Sequence, residues 1–150
     1  MSKIIVAPCG IDCTICEVFE RNVTDELRER ISETFKIPKE VVSCKGCKDG
    51  NQCLFLDLRG EICKTLKCIN KMKVQYCFEC RDFPCSFLMP LADGASKFPQ
   101  NIKLYNLCMM KKIGVTAWLE KSENIKHTYF TKKIMIGEGG STKDKSGGDK

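Results

Sequence analysis

Cysteines spaced as metal ligands dominate this chain: eight of its twelve lie within residues 44–85. That stretch contains two C-x2-C pairs, CKGC and CFEC, while a C-x3-C-x2-C group, CGIDCTIC, lies near the N-terminus. Two cysteines separated by two residues on a tight turn are common zinc ligands, and they bind the ion as thiolates. The pattern therefore predicts a metal-binding protein.

Structural disulfides are the competing explanation for twelve cysteines in 150 residues. Disulfides suit secreted chains, which carry a signal peptide. The apolar run near the start, residues 4–7, is too short for one, and no stretch approaches the roughly 18 apolar residues of a membrane span. We therefore expect a cytoplasmic protein without a membrane segment, whose thiols bind metal.

The formal charge of +6 points only weakly to a nucleic-acid partner. Four thiolates on one zinc carry a net charge of −2, so two such sites would lower the total to about +2. The lysines are also scattered along the sequence, which argues against a basic patch.

The elements that position the cysteines are predicted to be mainly α-helical, with little β-structure, in one small domain. Thr24 is a good N-cap, and Leu27, Ile31 and Phe35 form one apolar stripe after it. Further helical segments are expected at 38–42, 61–72, 84–89, 99–113 and 115–121. In the segment 61–72, Cys63 and Cys68 would be about 140° apart around the helix, so they share an ion only if Cys63 precedes the first turn.

The two ends of the domain are predicted to be short strands. Residues 3–7 and 128–136 favour extended structure, and the second strand is expected to pair with Ile4–Val6. The glycine- and serine-rich segment 137–150 contains no apolar residue, so we expect a flexible tail after a domain of residues 1–136.

The ordered set of cysteine motifs resembles a cysteine-rich family of prokaryotic proteins of unknown function for which zinc binding is expected. The resemblance covers Cys9 to about Leu88, and Ile113-Gly114-Val115 with Trp118-Leu119 look like the family's C-terminal end. The resemblance implies no activity. It implies ten metal ligands: Cys9, Cys13, Cys16, Cys44, Cys47, Cys63, Cys68, Cys77, Cys80 and Cys85.

About two structural zinc ions are the leading interpretation, with eight cysteines in two sites. The simplest pairing joins residues 13 and 16 to 77 and 80, and residues 44 and 47 to 63 and 68. Cys9 and Cys85, each directly after a proline, are alternative ligands, whereas Cys53 and Cys108 fit the pattern less clearly. Cys108 is expected to be a buried core thiol.

An iron–sulfur protein is the alternative interpretation. The spacing of residues 9–16 is that of radical S-adenosylmethionine enzymes, in which three thiolates leave one iron open. Those enzymes carry the motif in a large α/β barrel, but this chain lacks an alternating strand–helix pattern. The ferredoxin spacing is also missing.

A binding module and an enzyme are the remaining function classes. Phe78, Phe83 and Phe87 lie around CFEC and can stack on nucleic-acid bases, although core packing around a metal is the more common role of such residues. The only histidine, His127, lies in a polar stretch and is expected on the surface. All-thiolate sites are usually closed, so the sequence favours a non-catalytic protein of unknown cellular role, and it leaves open whether a protein or a nucleic acid is its partner.

Overall fold

The computed structural model describes residues 6–47, 52–96, 99–137 and 139–144, and this part of the chain is mainly α-helical, as predicted. Its α-helices are joined by loops and by single turns of 3-10 helix. None of its helices is long and apolar enough to cross a bilayer. The α-helices are α1 (Asp25–Phe35), α2 (Leu54–Leu58), α3 (Lys64–Met72), α4 (Ile102–Ile113) and α5 (Val115–Thr131).

Helix α1 forms as its sequence predicts. The Thr24 side chain accepts a hydrogen bond of 3.2 Å from the Leu27 amide, which satisfies one free donor of the first turn. Leu27 and Ile31 are buried against Val18 and Val42 in a small apolar cluster. Burial of each such side chain contributes about 1.5–3 kcal/mol, so this cluster fixes α1 beside the N-terminal cysteines.

Helix α3 begins later than predicted, because Cys63 is its N-cap rather than an interior residue. The Cys63 backbone is extended, and its Sγ accepts a hydrogen bond from the Leu66 amide at 3.4 Å. The last residue is Met72, as predicted, and Ile69 is buried in the main core. The sequence analysis missed the short helix α2.

Helices α4 and α5 meet at Gly114. This glycine has a φ of +85°, ends α4 as predicted, and donates its amide to the Met110 carbonyl at 2.9 Å. Helix α5 was predicted to end at 121 but continues through Thr131, because Trp118 and Ser122 bury one side of it. The strand predicted at 128–136 is therefore only Lys132–Met135.

The predicted pairing of this strand with Ile4–Val6 is not seen at Val6, the one residue of that segment that the structure describes. The strand β1 (Lys132–Met135) pairs in antiparallel register with β2 (Gly139–Asp144), and the nearby turn makes this partner more accessible than a distant segment. Val6 forms an isolated bridge with Asp12 instead, whereas Ile4 and Ile5 lie outside the described residues. The segment 139–144, expected in a flexible tail, is thus a strand.

A buried hydrogen-bonded link joins the first cysteine loop to the helical core. The Asn106 Nδ2 donates to the Gly10 carbonyl at 2.8 Å, and the Trp118 Nε1 donates to Asn106 Oδ1 at 3.3 Å. A Cβ built on Gly10 would lie only 2.4 Å from the Lys103 carbonyl oxygen and 2.7 Å from Leu107 Cγ. Only glycine therefore lets this loop approach α4 so closely.

Cys108 is exposed, which corrects its predicted place in the core. Helix α4 buries Ile102, Asn106, Leu107 and Met110, and this face points away from position 108. The apolar residues of α4 extend around most of its circumference, so the sequence alone did not identify the buried face.

Candidate metal centres

Two cysteine loops have the same local structure. Residues 13–19 and 77–83 both read C-x2-C-x2-F, and each begins with a turn of 3-10 helix. In each loop the amide of the second cysteine donates to the carbonyl of the first, at 3.2 and 3.1 Å. The phenylalanine amide then donates to the carbonyl of the second cysteine, at 3.1 and 3.2 Å. This correspondence is closer than the one between CKGC and CFEC, and it was not predicted from the sequence.

The CKGC loop has the expected knuckle geometry and lies against the first of these loops. Gly46 has a φ of +92°, and its amide donates to Cys44 Sγ at 3.4 Å. The Cys44 amide donates to the Val18 carbonyl at 2.8 Å, and its carbonyl accepts from the Glu20 amide at 2.9 Å. These bonds place the CKGC thiols beside those of residues 13–16.

The first thiol group combines these two loops with Cys53, the N-cap residue of α2. The Cys47 thiol hydrogen-bonds to Cys13, which lowers the pKa of Cys13 and raises that of Cys47. Burial, with smaller contributions from Cys53 and Cys44, raises the pKa of Cys16 to about 11. The members of the group are Cys13, Cys16, Cys44, Cys47 and Cys53.

The second thiol group lines a single cavity of about 30 Å³, together with apolar side chains that include Ile69 and Leu88. Helix α3 supplies one of its cysteines, the CFEC loop supplies two, and the residue before the 3-10 turn Ser86–Leu88 supplies the fourth. Burial, with smaller contributions from neighbouring thiols, raises the pKa of Cys77 to about 12. The members are Cys68, Cys77, Cys80 and Cys85.

Cys9 and Cys63 belong to neither group. The Cys77 amide donates to the Pro8 carbonyl at 2.9 Å, which brings Cys9 beside the second group. Burial raises the pKa of Cys9 to about 11, and its electrostatic neighbours include Cys13 and Cys63. Cys9 therefore lies between the two groups, whereas Cys63 borders an open groove with Ile62 and Leu66.

The structure corrects the pairing of loops that the spacing suggested. Residues 13 and 16 face 44 and 47 rather than the CFEC loop, and CFEC faces Cys68 and Cys85. Cys63 precedes the first turn of α3, yet its Sγ caps that helix while Cys68 points into the cavity. Cys63 and Cys68 therefore lie in different environments. The predicted α-helix over 84–89 is only the turn Ser86–Leu88, and Cys85 precedes it.

The cysteine side chains of each thiol group lie near one another, but their sulfur atoms do not surround a common point at which a metal ion would bind. In the described ranges no three or more His, Cys, Asp or Glu side chains already stand in metal-coordinating geometry. All twelve cysteines lie in those ranges as free thiols. What the backbone provides is two neighbourhoods in which most of the nearby donors are sulfur, the donor type favoured by zinc and by iron–sulfur clusters. His127 is exposed on α5, away from these groups.

A buried carboxylate supports the first loop, and the sequence analysis missed it. Asp12 caps the turn of 3-10 helix by accepting a hydrogen bond from the Thr14 amide at 2.9 Å. Its second oxygen, Oδ2, is buried without a hydrogen-bond partner among the described residues. Burial accordingly raises the pKa of the Asp12 carboxyl. An aspartate directly before a C-x2-C turn was the available sequence signal for this cap.

The aromatic residues around CFEC differ in their accessibility. Phe78 stacks on Tyr76, with ring centroids 5.4 Å apart and the planes nearly parallel. Phe83 is half-buried beneath the Lys111 ammonium, which lies 5.5 Å from its ring centroid. Phe87 remains 43% exposed at the edge of the cavity. Packing therefore accounts for two of the three rings and leaves Phe87 open to solvent.

Comparison with known proteins gives one match. A family model described as "Protein of unknown function (DUF3795)" matches residues 5–90. That span contains both thiol groups, along with Cys9 and Cys63, and it excludes helices α4 and α5. No curated protein and no solved structure matches the chain.

Proposed function

Because this chain belongs to the DUF3795 family, whose function is unknown, we propose a role from its own geometry. The protein is a metal-binding protein in which two structural zinc ions join the cysteine loops to the helices. One ion lies in each thiol group. The reducing cytoplasm, where thiols stay free, is the compartment that suits such sites.

The observation that carries the proposal is the cavity of the second thiol group. Four cysteines from three separate chain segments line a space of about 30 Å³, which is large enough for one ion. Zinc prefers four tetrahedral ligands, and an all-sulfur set is typical of its structural sites. The other polar side chains around the cavity are Thr65 and Asp82. Because four of the six polar side chains are thiols, the donor set favours a closed structural site over a catalytic one.

The first thiol group supports a second ion in the same way. Two C-x2-C loops face each other there, and hydrogen bonds between residues 18–20 and Cys44 hold them together. Cys53 adds a fifth thiol, so it can replace one of the four cysteines of the loops. When bound, zinc would supply cross-links between loops that contain little regular secondary structure.

Such ions would contribute a large part of the folding free energy. Zinc binds structural thiolate sites with apparent free energies of about 10–16 kcal/mol, comparable with the whole stability of a domain. The fold of the cysteine loops should therefore depend on metal, whereas α4 and α5 also gain stability from the apolar core around Trp118, which they share with Ile69, Tyr76 and Cys77.

Elemental analysis of protein purified without oxygen tests this proposal, with Cys77→Ser and Cys108→Ser as the variant and its control. We expect about two zinc ions per chain in the wild type and about one in Cys77→Ser, with a lower melting temperature. Cys108→Ser should retain both ions, because Cys108 is exposed on α4 and outside both groups.

Two results would contradict the proposal. Unchanged zinc content and melting temperature in Cys77→Ser would show that the second thiol group holds no ion. Detection of iron with acid-labile sulfide and of an absorption band at about 400 nm would show that the bound group is an iron–sulfur cluster and not zinc.

A further inference from the structure

Charge is distributed very unevenly between the two halves of this chain. Residues 1–61 contain 9 Lys and Arg against 11 Asp and Glu, whereas residues 62–137 contain 13 against 5. The modest net charge of the whole protein therefore conceals a basic second half. Such an asymmetry is typical of proteins that bind a polyanion.

Helix α3 concentrates part of this charge on one face. Positions 64, 67 and 71 are three and four residues apart, so their side chains lie within an arc of about 60°. A fourth lysine follows directly at the C-cap, and all four are exposed. None of them forms an ion pair with a carboxylate of the described residues. The lysine face consists of Lys64, Lys67 and Lys71, and Lys73 lies beyond it at the C-cap.

Part of the lysine face costs the helix stability, because Lys64 places positive charge in the first turn, whereas Lys71 in the last turn interacts favourably with the helix dipole. Like charges three and four residues apart on a helix repel each other. Helix α3 also lacks an acidic residue in its first turn, where one would interact favourably with the helix dipole. A zinc ion with four thiolates in the second group would carry a charge of −2 and offset part of this positive charge, and the excess of lysine that remains suits a partner that supplies negative charge.

Exposed apolar side chains flank the lysine face on both sides. On the side of the second thiol group, Met72 is 37% exposed and Phe87 is 43% exposed, and both line the cavity with Cys68. On the other side, Ile62 is 72% exposed along the open groove that also contains Lys67. Positive charge and an accessible aromatic ring therefore occur together.

We propose that the lysine face of α3 binds the phosphate backbone of single-stranded nucleic acid, with Phe87 stacking on a base. Lysine ammonium groups neutralise phosphates without reading sequence, and aromatic rings beside them add stacking with any base. Insertion of α3 into a membrane is a poorer match, because two of its three large apolar side chains, Ile69 and Leu66, are buried or half-buried. An acidic peptide would use the lysines but would leave the exposed ring without a base to stack on.

This proposal goes beyond the zinc proposal and depends on it only through geometry. Cys68 lies on α3, and Cys85 immediately precedes the turn that carries Phe87. A metal in the second thiol group would therefore fix the ring relative to the lysines, whichever metal it is. Elemental analysis and nucleic-acid binding are separate measurements, so either proposal can fail alone.

Fluorescence anisotropy with a labelled uridine oligonucleotide of about 20 nucleotides tests the surface directly. The variant Lys64→Gln/Lys67→Gln/Lys71→Gln is compared with Lys36→Gln/Lys112→Gln/Lys121→Gln, which removes the same charge from exposed positions elsewhere. Each lost phosphate contact lowers the slope of log K against log salt by about 0.7 for a single strand, so the α3 variant should lose about 2. Its affinity at low salt should fall about tenfold or more.

Two further variants separate charge from stacking and from folding. Replacing the same three α3 lysines with arginine should preserve binding, which guards against a loss caused by misfolding. Phe87→Leu should weaken binding about fivefold or more without changing the salt slope, because it removes stacking alone.

Several outcomes would overturn the proposal. Wild-type protein without oligonucleotide binding would do so, as would equal losses in the two triple-glutamine variants. Competition by a polyglutamate peptide as strong as that by unlabelled oligonucleotide would identify an acidic protein as the partner instead. Equal binding to vesicles rich in anionic lipid would identify a membrane surface.

Discussion

Replacement of Gly10 by alanine tests how closely the first cysteine loop must approach α4. The added Cβ would lie 2.4 Å from the Lys103 carbonyl oxygen and 2.7 Å from Leu107 Cγ, both well inside normal contact. These close contacts could be relieved only by a movement of the α4 backbone, and that movement would displace a well-packed helix. Overpacking of this kind costs about 1–3 kcal/mol.

Backbone strain adds to this steric cost. Gly10 has a φ of +89°, a conformation that costs other residues about 1–2 kcal/mol. The two effects together predict that Gly10→Ala lowers the free energy of unfolding by about 2–5 kcal/mol. For a chain of this size the melting temperature should fall by about 4–20 °C.

Gly114→Ala is the matched control, because Gly114 has a similar φ of +85° and an added Cβ would meet no atom of another residue within 4 Å. It should show the strain alone, about 1–3 kcal/mol, because a φ of +85° with a ψ of 157° is a conformation that only glycine adopts readily. Urea unfolding of both variants, with zinc content measured in each, separates the two costs. Equal destabilisation of the two variants would refute the inferred contact between the loop and α4.

Three further predictions concern other parts of the fold. Thr24→Ala removes the N-cap of α1 and should lower stability in urea by about 1 kcal/mol without loss of zinc; a larger loss would mean that Thr24 does more than cap the helix. Asn106→Leu leaves the Trp118 indole and a buried carbonyl unpaired, and should cost about 2–6 kcal/mol, which tryptophan fluorescence during unfolding can measure. Removal of zinc with a chelator should speed hydrogen exchange at the Cys77 amide more than at the Leu107 amide, because Leu107 lies in the middle of α4 and its backbone hydrogen bond needs no metal; uniform exchange would contradict this difference.

The sequence predicted those elements that depend on local chemistry. The N-cap Thr24 and the C-terminal glycine of α4 act on residues within one turn, so their positions could be identified without knowing the fold. The end of α5 could not, because residues 122–131 continue the helix through contacts made by the buried Ser122 and the half-buried Ile125 with other parts of the chain. Strand β2 escaped prediction because it contains no apolar residue.

The candidate site was predictable in composition but not in pairing. Spacing identified the C-x2-C loops, and the turn at Gly46 has the expected form. Which loops face each other depends on two backbone contacts between distant segments, Cys44 with Val18 and Cys77 with Pro8. Neither contact leaves a periodic signal in the sequence. The shared C-x2-C-x2-F pattern of residues 13–19 and 77–83 was visible, but only by comparing these loops directly.

The segment from Pro8 to Val18 supplies two thiols of the first group and is hydrogen-bonded to a loop of the second, and this makes the occupancy of the two groups interdependent. One end of it is hydrogen-bonded to the CFEC loop, and the other to the CKGC loop. Whichever ion binds first restricts this segment, so the second ion meets a partner whose conformational entropy is already reduced. Zinc uptake should therefore be positively cooperative, with few singly loaded molecules at half saturation. Native mass spectrometry would count these species, and a statistical distribution would show that the segment does not couple the two groups.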